Sequence, residues 1–110
     1  MINIDDFIKV EIKAGKILSV ETIEGSDKLL KLSVDIGEAN PRQIVSGIRK
    51  YFEDPQSLVG ITCAFVANLE PRMLMGLESQ GMIMASSGES ENGPFFSLLK
   101  MDVPPGSRVK

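Results

Sequence analysis

Residues Ile61 to Ala67, ITCAFVA, form an almost unbroken apolar run of strand length with β-branched and aromatic members. Such a run predicts a strand buried on both faces. Pro71 ends its ladder pairing because proline has no N–H to donate. Gly76 and Gly81 punctuate the next segment and Met82 to Ala85 resumes the apolar run, which reads as strand, exposed loop, strand. The loop carries Asn68, Arg72, Met73, Met75 and Ser79. Hydrogen-bond donors and flexible apolar side chains fixed between two core strands are how binding residues are commonly mounted.

The rest of the chain supplies partners for that strand. Asn3 to Lys9 reads as a short helical turn, with Asp5 capping its start and Phe7 and Ile8 packing inward. From Val10 the pattern turns to β: Val10, Ile12 and Ala14 alternate with Glu11 and Lys13, and Ile17 and Val20 continue the strand beyond Gly15. A glycine inside such a run predicts a bulge or sharp bend. After a turn at Glu24 to Asp27, residues Leu30 to Ile36 alternate apolar and polar without exception, the mark of a half-buried strand. Arg42 to Ile48 is a third strand, interrupted at Gly47. Asp54 to Gly60 reads as a compact helix, with Asp as N-cap, Pro at the first position and Gly as the stop. Beyond Met82 to Ala85, the segment Ser87 to Gly93 reads as a loop, Phe95 to Leu99 as another short strand, and Pro104-Pro105-Gly106 precedes a basic tail from Arg108 to Lys110.

Short strands at about ten-residue spacing predict a small sandwich or barrel. A helix between the third and fourth strands favours an all-β fold, the five-stranded Greek-key OB-fold barrel, here with extra C-terminal β structure. The chain's 110 residues make one domain, 1–110.

Composition removes several functions. The sequence has no histidine and one cysteine, Cys63, inside the apolar run. Disulfides, ordinary zinc sites and Ser-His or Cys-His nucleophile pairs are therefore excluded, and Cys63 reads as a small buried hydrophobe. The internal methionines offer soft ligands but have no His or second Cys beside them, and no GxxxxGK phosphate loop occurs. The expectation is a non-catalytic protein with no cofactor and no metal. No apolar run approaches the roughly 20 residues a spanning helix needs, and no basic-then-apolar leader opens the chain, which predicts a cytoplasmic protein that does not engage membranes. Net charge is −3, which argues against nucleic-acid binding by bulk field. Yet Lys28, Lys31, Arg42, Arg49, Lys50 and Arg72 lie mid-chain while Asp5, Asp6, Glu89, Glu91 and Asp102 lie toward the ends, so a local basic face is compatible with an acidic total.

Phe7-Ile8-Lys9-Val10, Gly25-Ser26-Asp27-Lys28-Leu29-Leu30, Val45-Ser46-Gly47-Ile48, Val66-Ala67-Asn68-Leu69, Pro71-Arg72 and above all Ser79-Gln80-Gly81-Met82 occur in order along the chain. Together they resemble the tRNA-binding domain family, and most of all its members appended to the C-terminus of bacterial methionyl-tRNA synthetase. The resemblance runs from about Ile4 to Lys110. It implies an OB-fold homodimer whose C-terminal β structure joins the interface, with tRNA held by shape and backbone rather than by anticodon sequence. It also implies a partner, the catalytic part of methionyl-tRNA synthetase. On that likeness the tRNA-binding residues are Lys28, Arg49, Asn68, Arg72, Ser79 and Met82. The chain departs from the family at Met73, where many members carry lysine after Pro-Arg, so weaker and less salt-sensitive binding is expected.

The chemistry of these residues suits a structured RNA, which is read through phosphates, 2′-hydroxyls and shape. Arg72 and Lys28 suit phosphates, Asn68 and Ser79 suit sugar or phosphate oxygens, and Met82 gives an adaptable apolar contact. Taken singly, Arg72 and Lys28 read as solvated charges and Ser79 as a turn residue whose hydroxyl satisfies local backbone. Met82 and Met84 alternate, which places one of them in the core. Phe95 and Phe96 face opposite ways, and one of them belongs to the dimer contact. The alternative function is a polypeptide-binding, export-chaperone-like dimer of the same fold, which a contiguous exposed apolar patch would favour.

Overall fold

A computed structural model describes residues 1–110. Its centre is β1 (Ile12–Thr22), long enough to serve two partners. The second half of β1 pairs antiparallel with β2 (Leu30–Asp35), and its first half with β4 (Thr62–Val66). With β3 (Arg42–Ser46) on β2 and the short β7 (Met82–Ile83) on β4, the order is β3-β2-β1-β4-β7, a nearly closed five-stranded antiparallel barrel.

The expected double burial of the apolar run is present and has a structural cause. Cys63, Phe65 and Ala67 point into the barrel with Ile17, Val34 and Ile44, while Ala64 and Val66 join Ile12 in a second cluster outside it. That outer cluster is covered by Met84 and Met101. The C-terminal segment also runs along β1, where Gly106 N–H donates to Ala14 O at 2.8 Å and Val109 N–H to Ile12 O at 2.9 Å. Ile12 and Ala14 therefore serve the outer layer, not the barrel interior.

Gly15 is not a bulge. It pairs in register with Cys63, and a Cβ on it would lie 2.5 Å from Phe65 Cδ1 and 2.7 Å from Val34 Cγ1. The glycine makes room for the largest buried side chain. The bulge falls at Leu18, between the pairs Ile17↔Val34 and Ser19↔Ser33. That extra residue shifts the strand's alternation, so Ile17 and Val20, three apart, both face inward.

The remaining elements correct several boundaries. The helix α1 (Ile4–Ile8) is capped by Asn3, whose Oδ1 accepts from Asp6 N at 2.9 Å; Asp5 lies in the first turn, and Phe7 and Ile8 stay exposed. Asp54 caps as expected, but the element it opens, Pro55–Leu58, is a 3₁₀ turn, with Leu58 fully buried. The strand β3 stops at Ser46, and a second 3₁₀ turn, Arg49–Tyr51, comes after it. The loop after β4 contains a hairpin of β5 (Arg72–Leu74) and β6 (Leu77–Ser79), closed by Met75 (φ 51°) and Gly76 (φ 77°). Two successive positive φ values match the turn whose twist suits a hairpin. The expected loop Ser87 to Gly93 is also ladder: β8 (Ala85–Ser90) pairs with β9 (Gly93–Leu98). Phe96 stacks on Tyr51 at 4.1 Å between ring centroids and meets Phe52 edge-on, while Phe95 on the other face is exposed.

Candidate functional site

The barrel's last seam, between β3 and the end of β6, is closed partly by side chains. Ser79 is buried, and its hydroxyl accepts from Val45 N at 2.9 Å and lies 3.2 Å from Gly81 O, within reach to donate. Gln80 continues the seam: its N–H donates to Gln43 O at 2.8 Å and its Oε1 accepts from Gln43 N at 3.1 Å. Arg42 clasps the same region. Its guanidinium donates to the carbonyls of Ala67 and Gln80, on either side of the hairpin, and pairs through two nitrogens with Glu38. That pairing holds the Glu38 carboxyl below its ordinary range and raises Arg42.

Against this seam the hairpin leaves a cleft of about 150 Å³. Its apolar lining comes from Val45, Leu69, Leu74, Met82 and Ile83, with Arg72 and Glu70 beside them. Leu69, Arg72 and Met82 are exposed. Neither Arg72 nor Glu70 enters a salt bridge, whereas Lys9, Lys13, Lys31 and Arg42 are each paired with a carboxylate. Of the six mid-chain cations, Lys31 and Arg42 are thus neutralised, and Lys28, Arg49, Lys50 and Arg72 remain without an acidic partner.

Lys28 and Arg49 form a second group on the turn between β1 and β2. Ser26 Oγ accepts from the N–H groups of Lys28 and Leu29, the Arg49 guanidinium donates to Ser26 O, and Arg49 N–H donates to Lys28 O at 3.2 Å. Lys28 is exposed, on a turn that also carries Glu24 and Asp27, and Arg49 is half-buried on the 3₁₀ turn bonded to it. The hairpin tip reaches this turn: a Cβ on Gly25 would lie 3.7 Å from Met75 Cε.

Of the residues expected from sequence, Arg72, Ser79 and Met82 therefore line one cleft, with Lys28 on the turn that its hairpin tip comes near and Arg49 bonded to that turn. Asn68 is occupied elsewhere: its Oδ1 accepts from Glu11 N at 2.8 Å and its Nδ2 donates to Lys9 O at 2.6 Å, tying β4 to the entry of β1. Neither Met82 nor Met84 is core, because Ile83 holds the inward position and Met84 packs on the outer cluster. Glu70 and Arg42 were not selected. The sequence carries no distinguishing signal for Glu70, a lone acid two positions before Arg72, and the Arg42 contacts join positions 25 and 38 residues apart. The arrangement suits anions at the open cations and an apolar group in the cleft.

The pattern defining the family described as "Putative tRNA binding domain" matches residues 12–108. The chain belongs to the tRNA-binding domain family. Similar proteins include the methionine–tRNA ligases of Myxococcus xanthus, 51% identical over 110 residues, and Methanocella arvoryzae, 45% identical over 109. The domain is aligned over 99% of its own length in both, but spans only 15% of either ligase. Among solved structures, the methionyl-tRNA synthetase-related protein of Pyrococcus horikoshii is 38% identical with a TM-score of 0.85, covering 100% of this domain and 98% of that chain. The chaperone CsaA of Bacillus anthracis shares the fold (TM-score 0.81, covering 100% and 99%) at 22% identity. No helix of the tRNA-binding domain is long and apolar enough to cross a membrane.

Proposed function

We propose that this domain is a non-catalytic tRNA-binding and dimerisation module of the cytoplasm, a C-terminal domain or accessory subunit of a methionyl-tRNA synthetase. It raises the effective concentration of tRNA beside the catalytic part. The observation that carries the reading is the set of cations without an acidic partner: Lys28 on the β1–β2 turn, Arg49 bonded to that turn, and Arg72 on the hairpin whose tip comes near it. Such cations position phosphates without reading sequence. Met82 adds an apolar contact, and Ser79 and Asn68 act by fixing the loops. The β8–β9 hairpin supports a homodimer, since β8 is exposed along its whole length and Phe95 and Leu99 offer apolar surface beside it. Light scattering at micromolar concentration is expected to give a dimer mass, and a monomer there refutes the dimer.

The polypeptide-binding alternative also has an observation behind it. The exposed side chains Ile4, Phe7, Ile8, Val10 and Val109 form one apolar depression of about 390 Å³. One titration separates the two readings: unfractionated tRNA, a single-stranded RNA and an unfolded polypeptide, each at several salt concentrations. Binding to tRNA is expected, with a slope of log affinity against log salt of about −2 to −3 per protomer, from three cations at about 0.7 to 0.9 each. Polypeptide binding without tRNA binding assigns the domain to the alternative.

A further inference from the structure

The cleft beside β3 holds a group that phosphate binding leaves unexplained. Glu70 stands two positions before Arg72 and lines the same cleft, yet the two side chains form no salt bridge. Neither takes part in a side-chain hydrogen bond within the protein. A phosphate set into this cleft would face the Glu70 carboxylate and a lining half of which is apolar. Both features disfavour an anion. They suit a flat, largely apolar group with hydrogen-bond donors along one edge.

Within an RNA partner that description fits an unpaired base. Base edges of an RNA helix are withdrawn into a deep groove, whereas loop bases can be splayed out and held by their faces and Watson–Crick edges. The cleft, at about 150 Å³, has room for one ring system and not for a duplex. A carboxylate presents two acceptors side by side. Among the bases only guanine presents two adjacent donors on its Watson–Crick edge, N1–H and the N2 amino group. Cytosine and adenine offer one exocyclic amino group each, and the N3–H of uracil stands between two acceptors.

We propose that this cleft takes an unpaired guanine of the bound tRNA, its face against Met82 and Leu69 and its N1–H and N2–H donating to Glu70. Arg72, at the same cleft, holds the neighbouring phosphate. The unbranched Met82 side chain adapts to the ring. The inference rests on the tRNA-binding reading and adds one base-specific contact to it, so the domain favours tRNAs that present an unpaired guanine beyond the helical surface.

The test combines kethoxal, which attacks N1 and N2 of unpaired guanine, with affinity measurements on a tRNA transcript. Saturating wild-type protein is expected to protect a guanine that reacts in free tRNA, and Glu70→Ala restores its reactivity. Glu70→Gln, which removes one acceptor and the charge, is expected to weaken binding about ten-fold with an unchanged salt slope. Arg72→Ala instead lowers the slope by about 1. Glu70 is exposed, and unchanged circular dichroism checks the fold of each variant. If Glu70 is only a bystander acid near RNA, Glu70→Gln tightens binding, which overturns the proposal. Wild-type binding with every unpaired guanine still reactive overturns it as well. Wild-type protein that binds no tRNA overturns the underlying reading, a separate and distinguishable failure.

Discussion

Replacing Ser79 by alanine separates a seam residue from a ligand contact. The hydroxyl accepts the Val45 N–H at 2.9 Å, and both residues are buried, at 5% exposure each. Alanine leaves that buried N–H without its partner. An orphaned buried donor costs about 1 to 3 kcal/mol. Taking the middle of that range, and an unfolding entropy of about 2.1 cal/mol/K per residue, the melting temperature of this 110-residue chain falls by about 9 °C. Thermal melts by circular dichroism measure the drop, and urea titration is expected to show a lower midpoint with unchanged slope. At 20 °C, where the variant is still folded, tRNA affinity changes less than for Arg72→Ala. A melting temperature within about 2 °C of wild type, together with lost tRNA affinity, refutes this reasoning and makes the hydroxyl a ligand contact.

Gly15→Ala drives a methyl into Phe65 and Val34 at 2.5 to 2.7 Å, and overpacking of this kind costs about 1 to 3 kcal/mol, read from the urea midpoint. Combining it with Phe65→Leu is expected to cost less than the sum of the single changes. Arg72→Ala weakens binding to different tRNA species about equally in a filter-binding assay, and loss confined to one tRNA contradicts phosphate contact. Because Arg42 lowers the folded pKa of Glu38, the pair's contribution to stability is present above pH 4.5 and is lost as pH falls through the lowered value. The stability gap between wild type and Glu38→Gln therefore narrows as pH falls below about 4.5. Burial pushes the Cys63 thiol up to about 11, so at pH 8 a disulfide reagent labels it only as fast as the chain opens.

The strands legible in the sequence are those with a water-facing side or an apolar excess. Leu30 to Asp35 alternates because one face is core and one is wet; Ile61 to Ala67 does not alternate because both faces are covered. The strand β8 gave no signal because it is exposed throughout and held by its ladder to β9 and not by a buried face, so hydrophobic periodicity has nothing to record there. The β5–β6 hairpin was hidden by its three-residue strands and by Met75 at a turn position usually given to Asn, Asp or Gly. Gly15 showed that something special happens in β1 but not what, since the cause is a ring 50 positions along the chain. In the cleft, Arg72, Ser79 and Met82 were recognisable from their motif. The role of Asn68, fixing the chain at Lys9 and Glu11, depends on contacts 57 and 59 residues away that no local pattern encodes.

The double grip of Arg42 on the carbonyls of Ala67 and Gln80 has a modular consequence. Both ends of the excursion between them are fastened to the same guanidinium, so the barrel registers where that excursion leaves and returns but not what it contains. Between the anchoring residues Asn68 and Ser79 the chain forms a cassette whose tip, Met73 to Gly76, takes no part in the five-stranded sheet, while Glu78 O still accepts from the Gln43 side chain at 2.9 Å. The tip of a single short segment can thereby change its surface while the grip of Arg42, itself held by Glu38, keeps the seam closed.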